Sequence, residues 1–454
     1  MDWIRAASSL LLLSAPFYLL SQTAAPRKPA PPKKKSRKTA RRAVPKAPPV
    51  SPAARAAASE EVSDMLDRTA GMPIENPAAM VPFFEQLRRA SGGEASGPLS
   101  ILHYGDSHTA ADEWTGSVRL LLQAQFGNGG GGYSFAGRPY NGYRRLDVKS
   151  GESRGWRSEG LLSKDGDGLY GLGGVSISTR LPRQSVYLEA ECSKLELFYL
   201  QQPGGGDLQL FDNGVPVDKI STDGPLGPGY VQYQVKNPTE GPHRFELETL
   251  RNAPVRLFGW VTEKDRGVTY ETLGINGAQA SIVFRWDEGI LASNIARRNP
   301  ALIVLAYGTN EATNPDWTLE SYREMFSALL QRLRQAAPTA SILVLGPPDR
   351  EYRTRGRWQT MEKLDRIIAA QREAALANRC AFWDMRNKMG GKGAMREWVI
   401  AGLAQGDHVH FTSSGYRRLG YTLFRDLMYN YEKYNKVRGE LARAGSHGQT
   451  SADQ

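Results

Sequence analysis

Residues 101–114, ILHYGDSHTAADEW, run from an apolar stretch into Gly-Asp-Ser-His and then into a helix-like segment. A serine at such a corner has two uses: its hydroxyl can cap the helix, or it can attack a carbonyl carbon. Taken alone, Ser107 reads more readily as a cap. An attacking serine needs a base and the base needs an orienter, so the six histidines are the next residues to weigh. His103 lies inside the first apolar run, and the His108 ring is expected to point away from its neighbour Ser107. His243 falls in a strand-rich segment and His447 in the C-terminal tail. His408 and His410 remain, in GDHVHFTSSGY. Asp407 stands three residues before His410. That spacing can bring a carboxylate to the imidazole Nδ1, leaving the other ring nitrogen to take a proton from a hydroxyl. His408 lacks the spacing. By themselves, Asp407 and His410 would be read as the start of a last helix capped by Thr412 or Ser413.

Acyl transfer also requires donors for the oxyanion. The Ser107 N–H, the Gly277 N–H in GINGA and the Asn310 side-chain amide in YGTNE are candidates. Each such donor is worth about 10² to 10³ in rate. Singly, Gly277 is a turn glycine and Asn310 a strand-end residue; together with Ser107, Asp407 and His410 they make a complete set. No cofactor is called for. Asp407, His408 and His410 are too small a cluster to argue for a metal.

These residues must be positioned by strands. PLSILHYGDS, VTYETLGINGA, PALIVLAYGTNE, ASILVLGPPD and CAFWDM are apolar runs. They alternate with helix-like stretches at AADEWTGSVRLLLQAQF, 287–298, 318–336 and 358–378, and with a last helix after DHVHFTSSGY. Apolar strands alternating with amphipathic helices predict a parallel sheet covered on both faces, with ligands at the carboxyl ends of its strands. The glycine run GNGGGGYSFAG lacks the Lys-Ser/Thr of a nucleotide loop and is expected to form a flexible loop near the site. From 150 to 266 the pattern changes to short alternating runs broken by Gly, Pro, Asn and Asp, the signature of an all-β sandwich.

The four blocks YGDSH, GINGA, YGTNE and DHVH resemble those of the SGNH (GDSL-type) hydrolase superfamily. The resemblance covers about 80–150 and 267–435. It implies Ser107 as nucleophile, Asp407 and His410 as the rest of the triad, and Ser107, Gly277 and Asn310 as the oxyanion hole. Two positions depart from the usual pattern: His108 replaces the leucine of GDSL, and Glu311 stands where an aspartate often follows the block-three Asn. Neither replaces a catalytic group. The implied fold is α/β, a three-layer doubly wound parallel sheet with an inserted all-β, jelly-roll-like sandwich. The insert resembles the carbohydrate-binding-type domain of exported peptidoglycan O-acetylesterases. Its Tyr199, Tyr230, Tyr233 and Trp260 can serve as sugar platforms or, more commonly for such residues, as core aromatics.

The expected organisation is a signal peptide or anchor at 1–25, a disordered Pro/Ala/Lys/Arg-rich linker at 26–58, and the hydrolase domain at 59–149 and 267–437. The β sandwich occupies 150–266 and a disordered tail 438–454. The net charge of +11 sits in the linker, where eleven Lys/Arg and no acid fall between Arg27 and Arg55. Asp2 and Arg5 cancel, and residues 56–454 balance 46 basic with 46 acidic residues. A nucleic-acid-binding face on the globular body is therefore not expected. The linker is a plain tether or a contact for anionic envelope polymers or lipid. Cys192 and Cys380 lie in different domains and are expected to be free and buried.

The expected function is that of an exported serine esterase of the periplasm or cell envelope, either freed from its N-terminal segment or anchored by it. Its substrate would be an acylated glycan, with O-acetyl groups on peptidoglycan foremost. An O-acetyltransferase with the same triad and a non-catalytic wall-binding protein stand as alternatives.

Overall fold

The computed structural model describes residues 50–71, 74–140, 142–238 and 241–450. Its centre is a sheet of five strands: β1 (Leu99–Gly105), β2 (Val268–Gly274), β3 (Leu302–Ala306), β4 (Ser341–Gly346) and β5 (Ala381–Asp384). All pair in parallel, in the spatial order β2-β1-β3-β4-β5. The strands are apolar on both faces because both faces are covered. Successive residues alternate between two cores. Ile101, Leu302, Val304, Leu343 and Leu345 pack against helices Val81–Ser91, Glu113–Phe126 and Ser413–Thr450. Leu102, Tyr104, Ile303, Leu305 and Val344 pack against helices Glu288–Arg298, Leu319–Ala336 and Lys363–Ala377. This is the expected three-layer α/β arrangement. The strand order changes direction between β1 and β3, the point at which doubly wound sheets place their ligands.

Between β1 and β2 the chain builds two antiparallel sheets. Val186, Leu188, Phe245 and Leu247 of one meet Leu195, Leu197, Leu257 and Trp260 of the other, forming the sandwich core. Strand Val255–Glu263 is buried along its whole length. Its Phe258 and Val261, with Phe198 and Leu200 of the neighbouring strand, turn outward and join the core that contains Leu273 and Ile275. The sandwich therefore shares a core with the α/β body. A buried polar seam reinforces the contact: Arg298 reaches Glu263 and Glu271 at 2.6 Å each, and the Tyr230 hydroxyl donates to Asn294 Oδ1 at 3.1 Å. Strand Gly132–Phe135, ahead of the expected start at 150, also pairs with Val255–Glu263.

Several local expectations change. The linker expected to reach 58 gives way earlier to helix Pro52–Arg68. The Ser51 side chain accepts from the Ala54 N–H, Pro52 opens the first turn, and Ala58, Val62 and Leu66 form its buried stripe. At the other end, helix Ser413–Thr450 runs into the tail expected to be disordered from 438, through the helix formers Glu440, Leu441 and Ala442. The stretch expected to open a helix at 358 is the second strand of a hairpin, Glu351–Thr354 with Arg357–Thr360, and the helix starts at Lys363. Tyr352, Thr354, Trp358 and Thr360 are strand formers, which explains the difference. The glycine run packs at the amino end of β2, where Gly127 O accepts from the Val268 N–H and the Gly129 N–H donates to Val268 O. That end is opposite to the candidate site. The expected signal or anchor at 1–25 and the linker up to 49 lie outside the described residues. Among the described residues no helix is long and apolar enough to cross a membrane.

Candidate active site

Gly105 ends β1 where a side chain has no room, since an added Cβ would fall 2.1 Å from Thr109 Oγ1 and 2.7 Å from Ala306 O. Asp106, not Ser107, then caps the short helical turn Ser107–Ala110, its Oδ1 accepting from the His108 N–H at 3.0 Å. Ser107 is the first residue of that turn. The cap reading is thus corrected: because Asp106 does the capping, the Ser107 hydroxyl is spared for another partner. That partner is His410, whose Nε2 lies 2.9 Å from Ser107 Oγ.

The Asp407–His410 segment comes from the other end of the chain. His410 Nδ1 lies 2.8 Å from Asp407 Oδ2, while Asp407 Oδ1 accepts from the backbone N–H groups of Val409 and His410 at 3.0 Å each. Burial pulls the Asp407 carboxyl upward, but these hydrogen bonds, led by that of the His410 side chain, outweigh it and hold the group below the usual carboxylate range. An ionised Asp407 fixes the proton on Nδ1 and leaves Nε2 as an acceptor facing the Ser107 hydroxyl. Thr412 caps the following helix, its Oγ1 accepting from the Gly415 N–H at 3.3 Å.

Gly277 follows β2 and Asn310 follows β3. The Ala278 N–H donates to Ile275 O at 3.1 Å, with Gly277 third in that turn at φ +76°, a conformation that favours glycine. The space beside its Cα is open. Neither the Ser107 nor the Gly277 N–H donates to another group among the described residues. Asn310 Nδ2 donates to Ala278 O at 2.9 Å, which ties the third block to the second and leaves the amide a second N–H. Glu311, one of the two departures from the family pattern, supports the same pair of loops. It is fully buried, with its carboxylate accepting from the Ala280 N–H at 2.8 Å and the Gly308 N–H at 3.0 Å. Burial raises its carboxyl to about 7.

His108, the other departure, is buried within 5.2 Å of the His410 ring, with Nδ1 2.9 Å from the Tyr416 hydroxyl. Burial drives it down to about 3, so it is a neutral neighbour of His410. Residues that sequence reasoning did not single out also touch the site. Arg350 donates to Thr309 O at 2.6 Å, and Glu351 Oε2 lies 2.6 Å from His408 Nδ1. Their only signal was position, just beyond the carboxyl end of β4. A cavity of about 230 Å³ adjoins the Gly277 loop, bounded by Ile275, Asn276 and Tyr140 and by Leu161, Ser163 and Val175 of the sandwich. The aromatics proposed as platforms are engaged elsewhere: Trp260 and Tyr199 are buried, and the Tyr230 and Tyr233 hydroxyls bond Asn294 and Asp212. Cys192 and Cys380 are free and buried.

Residues 239–418 match the model of the GDSL-like lipase/acylhydrolase family, a span that holds Gly277, Asn310, Asp407 and His410 but not Ser107. Among solved structures, a peptidoglycan O-acetylesterase is similar at 27% identity and a TM-score of 0.68, over 78% of this chain and 96% of that one. A family two carbohydrate esterase from Clostridium thermocellum, in complex with cellohexaose, matches at 12% identity and a TM-score of 0.29, over 62% of this chain and 99% of that one. No curated protein matches the chain. The sheet order, the four strand-end blocks and the family match agree: residues 239–418 match the GDSL-like family, and the chain as a whole resembles the SGNH (GDSL-type) hydrolase superfamily in fold.

Proposed function

We propose that the protein is an exported serine esterase that removes short acyl groups, O-acetyl in the first place, from a cell-envelope glycan such as peptidoglycan. The observation that carries this reading is the chain of contacts from Ser107 Oγ to His410 Nε2 (2.9 Å) and from His410 Nδ1 to Asp407 Oδ2 (2.8 Å) at the switch point of the parallel sheet. The likeness to the peptidoglycan O-acetylesterase structure supports the choice of substrate.

In the proposed mechanism His410 takes the Ser107 proton on Nε2 as Oγ bonds to the ester carbonyl carbon. The resulting oxyanion accepts from the Ser107 and Gly277 N–H groups and from the Asn310 amide. Collapse breaks the bond to the sugar oxygen, which leaves with the proton from His410. Water then attacks the acyl-serine, gives its proton to His410, and Ser107 leaves as the hydroxyl is restored. In this reading the sugar would occupy the cavity bounded by Ile275 and Asn276 and walled in part by the sandwich.

The test is acetate release from O-acetylated peptidoglycan and from acetylated polysaccharides, compared with the Ser107→Ala protein. Release by the wild type and a drop of about 10³-fold or more in the variant is expected. Equal release by both proteins would overturn the serine-esterase reading.

A further inference from the structure

Beyond the carboxyl end of β4 the chain forms the 351–360 hairpin. Arg355 (φ +47°) and Gly356 (φ +81°) make its tip, the two consecutive positive φ values of a type I′ turn. Arg353 pairs with Trp358, so Glu351, Arg353, Trp358 and Thr360 share one face. That face is fastened to the loop carrying Asp407 and His410. The Glu351 N–H donates to His408 O at 3.0 Å, and Glu351 Oε2 lies 2.6 Å from His408 Nδ1. The Trp358 ring stacks on the His408 imidazole, with centroids 3.7 Å apart and planes 16° from parallel. His408 is held at φ +57°, between the two residues of the Asp407–His410 pair. The base of the hairpin is thus anchored beside His410, and its outer half stands free.

The free half carries charge with no counter-charge. Arg353, Arg355 and Arg357 are exposed, within five residues of one another, and none pairs with a carboxylate among the described residues. The Arg353 guanidinium carbon lies 6.0 Å from the Trp358 ring centroid, on the face that meets the His408 loop. Three like charges gathered on so small an element repel one another and do not help the hairpin fold. Guanidinium forks match carboxylates in shape and charge, and they keep their charge at every working pH.

We propose that this hairpin is a substrate-docking wing: Arg353, Arg355 and Arg357 take carboxylates borne on the acylated glycan polymer, on its sugars or its attached peptides, and the His408 clamp sets that grip at a fixed distance from His410. The inference rests on the esterase reading above and names the substrate class more closely, as an anionic rather than a neutral glycan. Contacts of this exposed kind are each worth about twofold in affinity, so the three together give roughly tenfold, and salt weakens them.

The test compares O-acetylated peptidoglycan with the same material after its carboxylates have been amidated. For the wild type, kcat/KM for acetate release should be higher on the free-carboxylate material, and added salt should erase the difference. In the triple variant Arg353→Gln/Arg355→Gln/Arg357→Gln the preference ratio should fall roughly tenfold. The corresponding triple lysine variant should keep most of it. A ratio that is the same in wild type and glutamine variant overturns the proposal, as does a lysine variant that loses as much as the glutamine one. Cosedimentation with the two insoluble materials reads the wing without turnover. In a Ser107→Ala background, the arginine protein should bind the free-carboxylate material better and the glutamine variant should not. If the wild type releases no acetate from either material, the esterase reading fails while the binding comparison still decides the wing.

Discussion

Asp407→Asn probes the base most directly, because the structure dictates how an amide must sit there. Asp407 uses both oxygens: Oδ1 accepts from the Val409 and His410 backbone N–H groups, and Oδ2 faces His410 Nδ1 at 2.8 Å. An asparagine has one acceptor oxygen, and two backbone donors claim it. Its NH₂ then points at Nδ1, which must become an acceptor, and the ring proton moves to Nε2. There it faces Ser107 Oγ at 2.9 Å, and the imidazole cannot take the serine proton. Flipping the amide restores the tautomer but strands two backbone N–H groups, at roughly 1–3 kcal/mol each. At about 1.4 kcal/mol per factor of ten, the productive form is reduced about 30-fold to 10⁴-fold. The pair is open to water, with 36% and 47% of the His410 and Asp407 side chains exposed, so solvent satisfies part of what is stranded. A fall of about 10² to 10³ in kcat/KM on a small acetate ester is therefore expected, with the melting temperature nearly unchanged. Asp407→Ala should lose less, because it leaves the ring free to keep its proton on Nδ1. An asparagine variant within about tenfold of the wild type, or an alanine variant worse than the asparagine one, would refute the tautomer reasoning.

Other expectations can be checked alongside it. Gly277→Ala meets no clash but forces a Cβ into φ +76°, so it should lose about 1–2 kcal/mol of stability in chemical denaturation; an unchanged midpoint would show that the turn does not hold that conformation. Glu311 has its carboxyl raised from 4.5 to about 7 by burial, so the folded state holds a proton that the unfolded state has released. Its contribution is fully present below pH 4.5 and is lost as pH rises towards 7, by about 3 kcal/mol in all. The stability deficit of Glu311→Gln relative to wild type should therefore be largest near the acid end of that window and shrink by pH 8; a deficit that grows with pH contradicts the assignment.

Much of this molecule is legible along the chain. Five apolar runs, the first four of them running into a glycine and then polar or turn residues, announce a parallel sheet with its polar residues at one edge, and the Asp-x-x-His spacing singles out Asp407 and His410 from six histidines. These are properties of short segments: strand apolarity follows from burial on both faces, and a three-residue spacing closes within one turn. What only the tertiary structure decided depends on partners remote in sequence. Ser107 and His410 are 303 residues apart, and only the sheet order brings Oγ to Nε2. Whether Asp106 or Ser107 caps the turn depended on whether the Ser107 hydroxyl found a distant acceptor, which it does in His410. Strand Val255–Glu263 shows no alternation because it serves two cores at once, and Gly132–Phe135 became a sandwich strand by pairing with it. The second strand of the 351–360 hairpin overlapped the start of the helix expected at 358–378, and the hairpin's place beside His410 is set by a stacking contact between Trp358 and His408, fifty residues apart. Local pattern determines what an element is; the face it presents, and what it faces, is settled only when the other elements are packed against it.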